Sequence, residues 1–236
     1  MKKEKKKEKK GFFQEIRELF ELIVETAAFV FFAMTFVVQA FQIPTGSMEP
    51  TLLIGDFLLV NKLVYAKSVF PYEDKILPNK KIERYDIVVF KYPNDLAKDF
   101  VKRVIALEGE KIEIKDKQVY INDQPIPENY KVHSDSQVYT KNDYFRYDDL
   151  IRDNFGPVTV PPGHCFVMGD NRDNSADSRY WSFLPLSYIK GKPWMIYFSY
   201  QAEADAYLKT SLKDWLKKIT VFIPKARWNR LLRIIR

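Results

Sequence analysis

Apolar residues dominate one stretch near the start of the chain. From Thr26 to Ile43 (TAAFVFFAMTFVVQAFQI) there is no charge, and at about 1.5 Å per residue a helix of this length nearly matches a hydrocarbon core of roughly 30 Å. Just upstream, Phe12, Ile16, Leu19, Phe20 and Ile23 recur at helical spacing among glutamates, as in a helix that approaches along a membrane interface before turning in. The pattern predicts one transmembrane helix over 19–42, preceded by a basic tail and interfacial start over 1–18. Two other readings stand beside it. A buried core helix would show a polar face over five turns, and this run has none. A cleaved secretory signal peptide finds small residues at Val38-Gln39-Ala40, yet its apolar region is ordinarily about 7–15 residues, shorter than this one. Retention as an anchor is the expected outcome.

Beyond Ile43 the period changes. Beta-branched and aromatic residues alternate with polar ones, and Pro or Gly interrupts at short intervals, which predicts a mainly β domain. The expected strands are Phe57 to Leu63, Asp86 to Tyr92, Lys102 to Leu107, a hairpin of Lys111 to Lys115 with Gln118 to Asn122, Cys165 to Met168 and Trp194 to Tyr200. The β domain is taken as 43–207. Over 123–162 the alternation fades into polar, aromatic-rich sequence, read as an inserted excursion of unassigned role. In 208–236, Leu208, Leu212, Trp215, Leu216, Ile219, Phe222 and Ile223 keep helical spacing with lysines interleaved. This basic amphipathic segment suits a membrane surface or packing against the domain, and it is too short and charged for a second span.

The net charge of +7 lies at the ends: seven Lys against two Glu in residues 1–10, and nine Lys and Arg against Asp214 in residues 208–236. These exceed the total, so the body is net acidic. An acidic body with basic ends argues against a nucleic-acid partner and for an anionic membrane surface. Lysines ahead of the span put the N-terminus in the cytoplasm and the β domain outside. One cysteine, Cys165, excludes an intramolecular disulfide and multi-cysteine metal sites.

Three segments carry candidate chemistry. Ile43-Pro44-Thr45-Gly46-Ser47-Met48-Glu49-Pro50 is by itself an ordinary turn, or a rigid loop presenting the Ser47 hydroxyl. A serine nucleophile needs a base. The two histidines, His133 and His164, lie in the excursion and beside an expected strand, where surface or structural roles are the default. Lysine serves if burial removes its charge. Lys102, in Val101-Lys102-Arg103-Val104-Ile105, sits in an apolar stretch, where alternation points it away from Val101 and Arg103; an exposed strand lysine is the plain alternative. Finally, Gly169–Trp181 (GDNRDNSADSRYW) is rich in short polar groups. It lacks the glutamate of a calcium loop and carries Arg172 and Arg179, so a hydrogen-bonded support network fits better.

PTGSMEPTL, RYDIVVFKYP, KRVIALEGE and GDNRDNSADSRYW, in this order after an N-terminal span, resemble the sequence boxes of bacterial type I signal peptidases, from about Phe41 to Tyr200. RWNRLLRII resembles the closing strand of that family. The resemblance implies a signal-peptidase-like β catalytic domain on the outer face of the bacterial cytoplasmic membrane. It implies a serine endopeptidase that cleaves preproteins after an Ala-X-Ala-like site with a Ser-Lys dyad and without metal or other cofactor. Ser47 falls on the nucleophile and Lys102 on the general base. Thr45, where many members have serine, falls on the hydroxyl that forms the oxyanion hole with the Ser47 N–H. Ser175 matches the serine that orients the lysine, and Asp177 with Arg179 a supporting ion pair. Ile43, Pro44, Met48, Leu52, Phe100 and Val101 resemble the apolar lining of the substrate pockets. The implied partners are preproteins and the lipid bilayer. Two rival functions remain: a Ser-Lys protease dedicated to itself or one partner, and a catalytically silent membrane-anchored binding domain.

Overall fold

The computed structural model describes residues 11–65, 80–139, 151–202 and 224–235. The basic tail 1–10, the amphipathic stretch 208–223 and the middle of the excursion, 140–150, lie outside the described residues.

Helix α1 spans Phe12–Phe32 and runs into a π-helical turn, Ala33–Val37. Phe13–Val37 is one apolar helical stretch of 25 residues, long enough to cross a membrane, and none of it is buried inside the protein. Phe20, Phe29, Phe31 and Phe32 all stand exposed. That exposure removes the buried-core-helix reading, because such a face is stable only in an apolar surround. The helix also ends earlier than expected. Val38–Gln42, counted with the span from hydropathy, is strand β1 and pairs antiparallel with β2 (Asp56–Asn61), Ala40 opposite Leu59.

The remaining strands are β3 (Ile87–Tyr92), β4 (Asp95–Ala106), β5 (Lys111–Lys115), β6 (Gln118–Ile121), β7 (Gln124–Pro125), β8 (Phe155–Thr159), β9 (His164–Met168), β10 (Leu184–Pro185), β11 (Ile189–Ser199) and β12 (Arg233–Ile234). The larger sheet runs β1-β2-β11-β3-β4-β9-β10, with β12 on β11 as the closing strand; the smaller runs β7-β6-β5-β8. In the hairpin, Ile112 pairs with Ile121 and Ile114 with Val119, so the alternation buries one face of each strand against Phe166 and Met168 of β9. Strand β3 is buried on both faces: Ile87 and Val89 pack with Met48, Leu52 and Leu58, while Val88 and Phe90 pack with Val104, Cys165 and Val167. A strand at this depth fixes whatever pairs with it. Lys102 lies opposite Val88 across β3–β4.

The C-terminal residues are tied down by charge. The Arg230 guanidinium donates two hydrogen bonds to the buried carboxylate of Asp56, which also accepts from Ser199 Oγ. Both partners are buried, so the pair holds β12 against the sheet at the cost of desolvating two charges.

Candidate active site

The Ile43–Glu49 segment leaves β1 in extended form and makes one 3₁₀ turn, Gly46–Met48, that puts Ser47 at its centre. Met48, and Leu52 beyond it, anchor the turn in the core beneath. Strand β4 brings Lys102 to the same point. Its Nζ lies 2.6 Å from Ser47 Oγ and 5.5 Å from the Phe100 ring centroid. Lys102 is only 4% exposed. Burial pulls its pKa from 10.5 to about 8, opposed by the Asp177 carboxylate, then assisted by Arg179 and opposed by Asp170. Loss of hydration around the ammonium therefore outweighs the nearby carboxylates, and a sizeable neutral fraction exists near pH 8.

Both residues open onto a cleft of about 550 Å³. Ile43, Pro44, Thr45, Met48, Phe100 and Val101 form its walls with Phe41 and Ala176, and Lys98, Asp99 and Asn174 add polar atoms. Leu52, expected on the wall, is instead fully buried in the core behind Met48 and is not among the lining residues. Thr45 is extended, exposed and faces the cleft immediately before the turn.

The Gly169–Trp181 loop forms the rear of the site. Arg179 donates through Nε and Nη2 to the Asp177 carboxylate, both at 2.8 Å, and Gly169 N donates to the same group at 3.0 Å. Asp177 is held below the usual carboxylate range against the opposing effect of burial, chiefly by the charge of Arg179. Ser175 is buried beside Gly169 and helps hold the Asp177 carboxylate low, but among the described residues its Oγ makes no hydrogen bond to Lys102. The structure thus brings together Ser47, Lys102, Thr45, Asp177 and Arg179, with Ser175, expected to orient the lysine, buried beside Gly169 in the same loop.

Two connections were not singled out from sequence. Asp170 accepts two hydrogen bonds from the Arg103 guanidinium, at 2.8 and 2.6 Å, and one from Thr51 Oγ1 at 2.6 Å. It therefore joins the strand that carries Lys102 to the segment that follows Ser47. Asn171 N donates to Ser47 O, and Asn171 Nδ2 to Gly46 O, each at 3.1 Å. Arg103, beside Lys102, and the GDN run were the available signals, but their partners lie 67 or more positions away.

Neither histidine approaches Ser47 as a base. His133 Nδ1 meets Asp173 Oδ1 at 3.1 Å, and His164 Nδ1 meets Pro162 O at 2.8 Å. Loop carboxylates are likewise committed: Asp170 to Arg103 and Thr51, Asp173 to His133 and Asp135 N, Asp177 to Arg179. Such a donor set does not suit calcium. Among the described residues, no three His, Cys, Asp or Glu side chains converge as a metal site.

A family model described as signal peptidase, peptidase S26, matches residues 16–198. The chain belongs to this signal peptidase family. It is 34% identical over 189 residues to a signal peptidase I of Pseudomonas aeruginosa, covering 70% of this chain and 66% of that protein. To a signal peptidase I of Aquifex aeolicus it is 34% identical over 234 residues, covering 79% and 84%. A crystal structure of a signal peptidase I from Enterococcus faecalis is 34% identical and covers 48% of this chain and 97% of its own, with a TM-score of 0.37. The chain spans about two thirds of the length of the Pseudomonas signal peptidase I. The mainly β architecture behind one exposed apolar helix agrees with membership in a signal peptidase family.

Proposed function

We propose that this chain is a membrane-anchored serine endopeptidase that removes signal peptides from preproteins, with Ser47 as nucleophile and Lys102 as general base. The observation that carries the reading is the 2.6 Å approach of a buried lysine, its pKa pulled down to about 8, to a serine hydroxyl on the floor of an apolar cleft. A neutral Lys102 amine takes the Ser47 proton as Oγ attacks the scissile carbonyl carbon. The resulting oxyanion is stabilised by the Thr45 hydroxyl and the Ser47 N–H. Lys102 then returns its proton to the leaving amine, and an acyl ester remains on Ser47. Water, deprotonated by the same amine, hydrolyses that ester and frees the signal peptide. Asp177 and Arg179 form a neutralised ion pair behind the lysine that holds the loop without fully restoring its charge. Walls of Ile43, Pro44, Val101 and Ala176 suit the small side chains of an Ala-X-Ala-like site.

Anchoring is part of the same proposal. Helix α1 would lie in the bilayer with the lysine-rich tail on the cytoplasmic side and the β domain outside. A cut after Ala40 would split β1 itself in the middle of its pairing with β2, which supports retention of the anchor over its removal. Tethering keeps the cleft in the same interface as the substrate's signal helix and raises its effective concentration.

The test is the pH dependence of turnover on a preprotein in detergent or lipid nanodiscs. Since the neutral amine is the active form and its pKa is about 8, kcat should rise about tenfold per pH unit below that value and level off above it. An acid limb centred near pH 10.5, or a rate independent of pH between 6 and 9, would remove Lys102 as the base.

A further inference from the structure

The excursion that interrupts the β pattern presses one ordered segment, 128–133, against the rear of the active-site loop. Val132 N donates to Asp170 O at 2.8 Å and Arg172 N donates to Val132 O at 3.0 Å, a parallel bridge that flanks Asn171 on both sides. Arg172 turns its side chain inward, 1% exposed. Its guanidinium donates through both Nη atoms to the buried Glu128 carboxylate, and Nε donates to Gly169 O at 3.1 Å. Arg172 O in turn accepts from Arg179 Nη2 at 2.6 Å. The Tyr130 ring packs near two arginines of this region, its centroid 4.1 Å from the Arg103 guanidinium carbon and 5.9 Å from that of Arg172.

A path of direct contacts therefore runs from the excursion to the reacting serine. Glu128 fixes Arg172, Arg172 fixes the Gly169–Asn171 backbone, and Asn171 holds the carbonyls of Gly46 and Ser47. The loop has little room to shift: a Cβ placed on Gly169 would stand 2.5 Å from Ser47 O. Two charges so deeply buried are a poor route to stability alone, because desolvation offsets much of their attraction.

We propose that Glu128 is a positioning residue for the reaction, setting the Ser47 turn against Lys102 through Arg172 and Asn171. The proposal rests on the Ser47–Lys102 reading. It assigns 128–133 a catalytic support role that the surrounding sequence pattern does not announce.

The experiment compares full-length wild type, Glu128→Ala, Glu128→Gln and the apolar pair Glu128→Leu/Arg172→Met, measuring kcat and KM on a preprotein and the thermal midpoint of each. Glu128→Ala should lower kcat by about tenfold with little change in KM. Glu128→Gln, which keeps an acceptor for Arg172, should recover part of that loss. The apolar pair removes both charges, so its midpoint should stay near wild type or rise, while kcat stays about tenfold down. Wild-type kcat in the apolar pair would show the ion pair to be structural only and overturn the proposal. Should that pair not fold, Glu128→Gln decides: kcat between wild type and Glu128→Ala supports positioning, and equal kcat in all three overturns it. A Ser47→Ala control that cleaved normally would overturn the dyad, and this proposal with it. An inactive control combined with unaffected Glu128 variants would sink the positioning role alone.

Discussion

Replacing Lys102 by alanine or arginine should lower turnover on a signal-peptide-bearing preprotein by on the order of 10³-fold, with the protein still folded. Alanine removes the only basic group bonded to Ser47 among the described contacts. Arginine keeps the positive charge but cannot become a neutral base near neutral pH, and its larger head has no room at a 2.6 Å contact. Methionine separates chemistry from stability. Wild-type Lys102 has a folded pKa of about 8 against an ordinary 10.5, so the unfolded chain binds more protons between those values. The stability lost to burying the ammonium is thus fully felt below about pH 8 and recovered as pH rises toward 10.5. Lys102→Met escapes that penalty and should be more stable at pH 7, by up to about 3 kcal/mol, yet inactive. Calorimetry at pH 7 and pH 10 checks this: the gap between Met variant and wild type should narrow at the higher pH. Wild-type turnover in Lys102→Arg would contradict the assignment.

Gly169→Ala should be nearly as damaging to activity although it adds one methyl group. The new Cβ would stand 2.3 Å from Ser175 Oγ and 2.5 Å from Ser47 O, both far inside van der Waals contact. The serine side chain can rotate, but the Ser47 carbonyl is backbone in the turn that presents the nucleophile. Relief must move that turn relative to Lys102. Displacement on the scale of 1 Å costs about 100-fold in rate, and the overpacking itself about 1–3 kcal/mol. Steady-state kinetics with a thermal melt would show a fall in kcat out of proportion to the loss of stability. Unchanged kcat would mean that the loop does not set the serine's position.

Legibility in the sequence followed the locality of each signal. The Ile112–Ile114 and Val119–Ile121 alternation defines its hairpin because the pairing partners are a few residues apart. Val38–Gln42 is uncharged in a way that serves a lipid-facing helix and a half-buried strand alike, and its pairing with Phe57–Asn61 alone decides between them. Strand β4 begins at Asp95, seven residues before the apolar stretch at Lys102, because its outer half is exposed and carries no hydrophobic alternation. Strand β11 contains Gly191 and Pro193, which read as breaks but sit at register shifts in the sheet. In the site, Ser47 and Lys102 stand out through the motifs around them. Leu52 has the same apolar character as Met48 and Val101, and only its place in the fold separates it from the cleft wall, since Met48 is as deeply buried yet lines the cleft. Arg103, Asp170 and Glu128 form links between segments distant in the chain, and no local pattern records them.

The most direct test of the account is to incubate wild type and Ser47→Ala, reconstituted in lipid, with a preprotein bearing an Ala-X-Ala site and to determine the product masses. Wild type should release the signal peptide by a single cut after that site, and Ser47→Ala, equally folded, should release none. Cleavage at the same bond and rate by Ser47→Ala would contradict it.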